Sequence, residues 1–186
     1  DGLLQLMGQA KKDLLIVSPY FVPGPDMKQA FDAARARGVR VRVLTNSLAS
    51  NDAPIAHAGY ARHRPELLAT GLELYEMRSE LSGLRSVFQG TGSSGVTGSS
   101  GDSKAMLHSK LLILDGRLLV IGSMNLDLRS QLQNTEIALL IRSRSLSARA
   151  TEQIEAALED AAWRVEQDSE GRLVWRAPKD SGLKDA

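Results

Sequence analysis

"LLIVSPYFVPGPDMKQAFDAARARGVRVRVLT", residues 14–45, is the stretch whose reading decides the fold. Its first residues, 14–18, are a short apolar run closed by Ser18-Pro19, and read as a buried strand. "YFVPGP" reads as a loop, after which Pro25 and Asp26 open a helix to about Arg37, capped by Gly38. Residues 39–45 then alternate with period two, as a half-buried strand does. Strand, helix and strand in this order form the unit of a layered α/β domain with parallel neighbours.

The chain on either side extends this pattern. "APIAHAGYARHRPELLA" predicts a helix over about 53–69, bent at Pro65, and "LELYEM" (72–77) a third strand. A Gly/Ser-rich segment follows at about 90–103. Beyond it, "AMLHSKLLIL" (105–114) and "LLVIGS" (118–123) flank Asp115-Gly116, a hairpin turn. "TEIALLI" (135–141) adds a strand, and residues 145–165 a helix with Ser145 or Ser147 as N-cap. Ile154, Leu158, Ala161 and Val165 keep helical spacing along it, and "RLVWR" (172–176) closes the chain as a short strand. The expected fold class is α/β, a mixed β-sheet flanked by helices. Neither side of the Gly/Ser segment holds a complete set of elements. Residues 1–186 therefore read as a single domain with a long loop inserted in it, rather than as two domains and a linker.

Composition narrows the function classes. Hydrophobic residues at 42% and charged residues at 24% suit a globular domain. A net charge of +1 and 4% aromatics give no support to nucleic acid as a partner. With no cysteine, disulfides and thiolate metal sites are excluded. No apolar run approaches the roughly 20 residues of a membrane-spanning helix. The sequence starts at Asp1 without Met, which points to a piece of something longer.

The chemistry concentrates at residues 108–136. On an extended strand His108 and Lys110 project to the same side, and an imidazole beside an ammonium makes a poor core pair. It makes a good phosphate site. Lys supplies charge to the oxygens, while His can attack phosphorus or move a proton near neutral pH. The hairpin returns "GSMN" beside this strand. Ser123 and Asn125 there offer donors, and Gly122 permits close backbone approach. Glu136 could accept from one ring nitrogen of His108 and fix its tautomer. His57 and His63 have no Lys two residues on, and read as helix-surface or loop-facing residues.

The intervals among His108, Lys110, Asp115, Gly122, Ser123 and Asn125, with "NTE" at 134–136, resemble the signature of the phospholipase D superfamily. "SPYFVPG", "TNSLASND" and "HAGYARHRPELLATGLELYE" look like the second half of bacterial cardiolipin synthase-like members. The resemblance implies phosphodiester cleavage without metal or other cofactor, at a site where two such motifs meet about a pseudo-twofold axis. One His forms a phosphohistidine and the other protonates the leaving alcohol; water or a second alcohol then releases the phosphoryl group. Carried over, His108 is nucleophile or general acid, and from a second half more the acid. Lys110, Ser123 and Asn125 bind phosphate, Glu136 orients His108, and Asp115 supports the loop.

This chain has one motif. The other comes either from the first-motif half of the same longer chain or from a second copy in a homodimer. The implied substrate is a phosphatidylglycerol-type phospholipid, met at a membrane surface by a bacterial protein that is cytoplasmic or peripheral at the inner membrane. "PYFVPGP" and the Gly/Ser loop, with Phe21 and Met106, are the expected membrane contacts, and "ARARGVRVR" a basic stretch that could assist. A homodimeric nuclease with one motif per chain is the alternative, and a non-catalytic binding module the third reading. A paired interface would leave an apolar face exposed on the isolated chain.

Overall fold

Leu14, Leu15, Ile16 and Val17 are each no more than 1% exposed, because the strand they form, β1 (Asp13–Val17), lies inside the sheet with both faces covered. A strand buried on both faces reads as a continuous apolar run rather than an alternating one. The computed structural model describes residues 2–50, 54–78, 110–123, 126–127, 137–179 and 181–186. Around β1 these give α1 (Gly2–Gly8), β2 (Phe21–Val22), α2 (Pro25–Ala36), β3 (Arg40–Asn46), α3 (Pro54–Ala61), α4 (Arg64–Ala69) and β4 (Glu73–Met77). Then come β5 (Leu111–Leu114), β6 (Leu118–Gly122), β7 (Leu126–Asp127), β8 (Ala138–Arg142), α5 (Arg144–Asp160), β9 (Ala162–Gln167) and β10 (Leu173–Arg176).

Eight strands make one sheet in the order β10-β9-β4-β3-β1-β5-β6-β8, so strands from before and after residues 79–109 are hydrogen-bonded together. β1, β3 and β4 run parallel; β5, β6 and β8 on one flank, and β9 and β10 on the other, join antiparallel. This is the mixed α/β sheet flanked by helices that the sequence predicts. On one face Leu14, Ile16, Val41, Val43 and Leu74 pack against Met7 of α1, Phe31 of α2 and Leu67 of α4. On the other, Leu15, Val17, Leu44 and Ile113 pack against Ile154 and Leu158 of α5.

Several local expectations need correction. The helix over 53–69 is two helices, broken at Arg62-His63; Pro65 sits in the first turn of α4, where its missing N–H costs nothing. β3 is not half-buried: only Arg40 is exposed, and Arg42 is buried, pairing with Asp13 (2.9 Å) and Glu155 (2.6 Å). α5 is capped by Ser143, whose Oγ accepts from the Leu146 N–H at 3.3 Å, and not by Ser145 or Ser147. It ends at Asp160. Val165 belongs to β9, opposite Leu74, because pairing with the β4 edge outweighs the helical spacing. The strand at 105–114 is described only from Leu111, residues 105–109 and the Gly/Ser segment lying outside the described residues. The sequence pattern does not predict α1, β2, β7 or β9.

A buried polar group ties α3 and α4 to the sheet. Arg64 Nε donates to Glu76 Oε1 (2.7 Å), and Trp175 Nε1 donates to Glu76 Oε2 (3.0 Å). The Arg64 guanidinium lies 4.8 Å from the Tyr60 ring centroid and 5.1 Å from that of Trp175. Desolvated charges hold only when each finds its partner. Replacing Glu76 with Ala leaves Arg64 buried and uncompensated, with an expected loss of about 3–5 kcal/mol in urea unfolding.

Candidate active site

The C-terminal ends of β1, β3 and β4 point to one end of the sheet, and the β5–β6 hairpin delivers the motif there. Leu111 pairs with Val17 on one side and Ile121 on the other, so Lys110 stands just beyond the end of β1. Gly122 N–H donates to the Lys110 carbonyl at 3.1 Å, which brings Ser123 alongside. Ser123 is held from its other side: its N–H donates to the Ile137 carbonyl (3.0 Å), and its Oγ accepts from the Ile137 N–H (3.2 Å). A Cβ at Gly122 would sit 2.8 Å from the Ile137 carbonyl oxygen, so glycine is what allows β6 and β8 to close here. Lys110, Gly122 and Ser123 thus share one end of the sheet. His108, Asn125 and Glu136 lie outside the described residues.

Asp115 is at the other end. It lies five residues past Lys110, about 17 Å along an extended chain, and so is out of reach of a ligand held at Lys110. Asp115 and Gly116 have φ of 50° and 60°, the two positive values of a type I′ hairpin turn. The Asp115 carboxylate accepts from the backbone N–H groups of Lys11 (3.0 Å), Lys12 (2.7 Å) and Asp13 (3.1 Å). Burial alone would raise its pKa, but these three donors and the Arg117 charge outweigh it and hold the carboxyl below the ordinary Asp range.

The two remaining histidines are not partners for this site. His57 is buried, not surface or loop-facing as expected, because α3 turns it inward beside Tyr60. Its Nε2 lies 3.0 Å from Arg64 Nη2. Guanidinium can only donate, so Nε2 accepts and the ring is neutral. Burial, then the Arg64 charge, depress its pKa. His63 stands at the start of α4 with Nδ1 3.5 Å from Glu66, its pKa also lowered, by burial first and then by Lys28.

Apolar surface remains exposed near the site. Ile137 is 78% exposed and Leu139 60%, beside Ile121 and Leu140, along the β6–β8 flank. Lys110, with Leu3, Val17, Leu112, Val120 and Gly122, lines a half-open hollow of about 40 Å³. Among the described residues no helix is long and apolar enough to cross a membrane. Phe21, expected at a membrane, is instead 1% exposed in the core, packed on Phe31 and Tyr60. Met106 lies outside the described residues.

Among the described residues an eight-stranded mixed sheet carries Lys110 and Ser123 together at one end, an arrangement that fits a phospholipase D-type domain. The family described as "Cardiolipin synthase, PLD-like domain" matches residues 3–158, and the chain belongs to it. It is 40% identical over 174 residues to cardiolipin synthase C of Escherichia coli K12, which covers 93% of this chain but 35% of that protein. The chain thus spans about a third of that relative's length. Among solved structures it is similar in fold to Nuc of Salmonella typhimurium, a phospholipase D family member, with a TM-score of 0.61 and 20% identity. That match covers 89% of both chains. NucT from Helicobacter pylori aligns with a TM-score of 0.60 at 16% identity, covering 85% of this chain and 86% of that one.

Two outcomes follow from this geometry. Asp115→Asn keeps the turn but loses the charge facing three donors, and is expected to destabilise by about 1–3 kcal/mol. Since folding depresses the Asp115 pKa, this deficit is full above about pH 4 and vanishes in stronger acid, measurable by urea unfolding at stepped pH. His57 is depressed too, so its neutral form supports the fold above its unfolded value. Stability falls as pH drops below about 6.5. His57→Gln, which can still accept from Arg64, should flatten the fall in melting temperature across that range.

Proposed function

We propose that this chain supplies one motif of a two-motif phosphodiester site that transfers or hydrolyses phospholipid headgroup esters through a phosphohistidine. The observation that carries the reading is the hairpin that sets Lys110 and Ser123 side by side at the strand ends, in a chain 40% identical to a cardiolipin synthase. Lys110, Ser123 and Asn125 hold the nonbridging oxygens, the electrostatic task that dominates phosphoryl transfer. One motif's His attacks phosphorus while the other's gives its proton to the departing alkoxide. The second His then takes a proton from water or an acceptor alcohol, which attacks phosphorus and breaks the P–N bond. His108 takes the acid–base part, Glu136 orients it, and phosphatidylglycerol is the substrate class.

The second motif comes from another part of a longer protein, a reading supported by the match to about a third of the E. coli relative. The exposed aliphatic flank of β6 and β8, next to Ser123, is where such a partner would bury apolar surface. The match to nearly the whole of Nuc favours a second reading, two copies forming a homodimeric phosphodiesterase or nuclease.

Hydrolysis of a chromogenic phosphodiester, in chelator, over a roughly hundredfold range of protein concentration separates the two by mass action. Specific activity that climbs with concentration and falls about a thousandfold or more in His108→Ala marks the homodimer. The longer-protein reading expects no activity at any concentration, and turnover of phosphatidylglycerol once a first-motif half is added. Turnover that survives His108→Ala and Lys110→Ala overturns both.

A further inference from the structure

α3 is an uncharged helix with aliphatic side chains in solvent, set against the catalytic end of the sheet. Ile55 in its first turn is 90% exposed, and Leu48 in the turn that precedes it is 61% exposed. Ala58 and Arg62 are exposed as well. Residues 55, 58 and 62 fall on one stripe at 3.6 residues per turn, while His57 and Tyr60 face inward. The nineteen residues from Val43 to Ala61 contain one charged side chain, Asp52, in a chain that is 24% charged. That depletion separates the segment from an ordinary solvated loop.

Its position is fixed by packing. A Cβ on Gly59 would lie 3.2 Å from the Val22 side chain, so α3 rests closely on β2. β2 in turn pairs in parallel with β7, Phe21 opposite Leu126, and β7 begins one residue after Asn125. The turn bearing Leu48 is pinned from below: Ser47 N–H and Ser50 Oγ both donate to the Met77 carbonyl, at 3.4 and 3.0 Å. The anchored turn directs Leu48 outward, and Ile55 stands in solvent at the start of α3.

We propose that the α3 tip, Leu48 and Ile55 with Ala58 and Arg62 behind them, is the surface by which this chain docks on a phospholipid bilayer. The proposal deepens the phospholipid reading given above and rests on it. The aliphatic pair enters the acyl boundary, and Arg62 at the base of the stripe, whose Nε donates to His63 Nε2 at 3.3 Å, offers its remaining N–H groups to lipid phosphate. Through β2 and β7 this places the sheet end that carries Ser123 towards headgroup depth. The basic stretch at 35–42 is not part of this surface: it joins the end of α2 to the start of β3, at the sheet end away from Lys110. The β6–β8 flank is a second apolar surface, on the far side of β1 and β5 from α3 in the strand order.

The test is co-sedimentation of the purified 186-residue chain with vesicles of phosphatidylcholine containing phosphatidylglycerol. Ile55→Asp and Leu48→Asp are each expected to lower the vesicle partition coefficient about tenfold or more, while Ile55→Leu retains it. With no native cysteine, Ile55→Cys can carry a single environment-sensitive fluorophore, whose emission is expected to shift to the blue on adding vesicles. An unshifted probe, or full binding by both Asp variants, overturns the proposal. So does failure of the unaltered chain to bind vesicles, or an Asp variant that changes its sedimentation mass in solution and leaves vesicle binding intact, since α3 is then a protein contact. These measurements need no turnover. Diester hydrolysis that survives His108→Ala would sink the phosphohistidine reading and leave the docking result standing on its own.

Discussion

The carboxylate of Asp115 gathers the backbone N–H groups of residues 11–13, and the rest of the sheet depends on that contact. These are the residues that lead into β1, and Asp115 closes β5, so the contact fixes the register between the two strands at their shared end. Side chains on a strand alternate with period two, and a slip of one residue would reverse every face. Leu112 and Leu114 would then leave one core and Ile113 the other, and Lys110 would turn from the side it occupies. A residue about 17 Å from the motif's lysine thus governs where that lysine stands. The spacing from Asp115 back to Lys110 is best understood as the length of a strand with its anchor at the far end.

What the sequence made legible follows from the range of the forces involved. β1, β3, β4 and the β5–β6 hairpin were readable because each is an apolar run closed by local turn chemistry, Ser18-Pro19 or Asp115-Gly116. β9 was hidden, since "AWRVEQ" continues a helical spacing and becomes a strand only against the free edge of β4. Arg42 misled in the same way: its alternation predicts an exposed face, yet the Asp13 and Glu155 carboxylates that let it be buried come from β1 and α5, 29 and 113 residues away. His57 looked like surface because its only visible neighbours were alanines; Arg64 and Glu76 take it inward. Of the motif, the intervals located Lys110, Gly122 and Ser123 on one hairpin. Glycine's reason at 122, the Ile137 carbonyl of β8, required a third strand to be seen.

The two edges of the sheet are treated differently. At one, Trp175 of β10 exchanges hydrogen bonds with Ala186, its N–H donating to the Ala186 carbonyl at 2.8 Å and its carbonyl accepting from the Ala186 N–H at 3.0 Å. Its indole reaches back to Glu76, so the β9–β10 hairpin, which lies beyond the residues matched to the family, seals the β4 edge with a buried contact. At the other, β8 carries Leu139 and Leu140 to solvent, each more than half exposed, and no described strand pairs beyond it. An unprotected apolar edge strand invites association. The open edge is the one beside Ser123, and the closed one is remote from it.

This asymmetry bears on the chemistry. An imidazole that has become bonded to phosphorus cannot also hand a proton to the leaving oxygen, so a phosphohistidine route requires two rings on opposite sides of one phosphate. On the proposed reading His108 supplies one. His57 cannot supply the other, since its Nε2 is engaged by Arg64 beneath α3, and His63 belongs to the Lys28–Glu66 surface of α4. On that reading the second ring, with a second cation for the nonbridging oxygens, comes from another part of a longer protein or from a second copy of this chain. Beside Lys110 the described residues leave a half-open hollow of about 40 Å³. On the proposed reading the substrate volume forms between Lys110 and whatever covers the β8 flank. The apolar edge of β8 beside Ser123, beyond which no described strand pairs, suits that proposed arrangement.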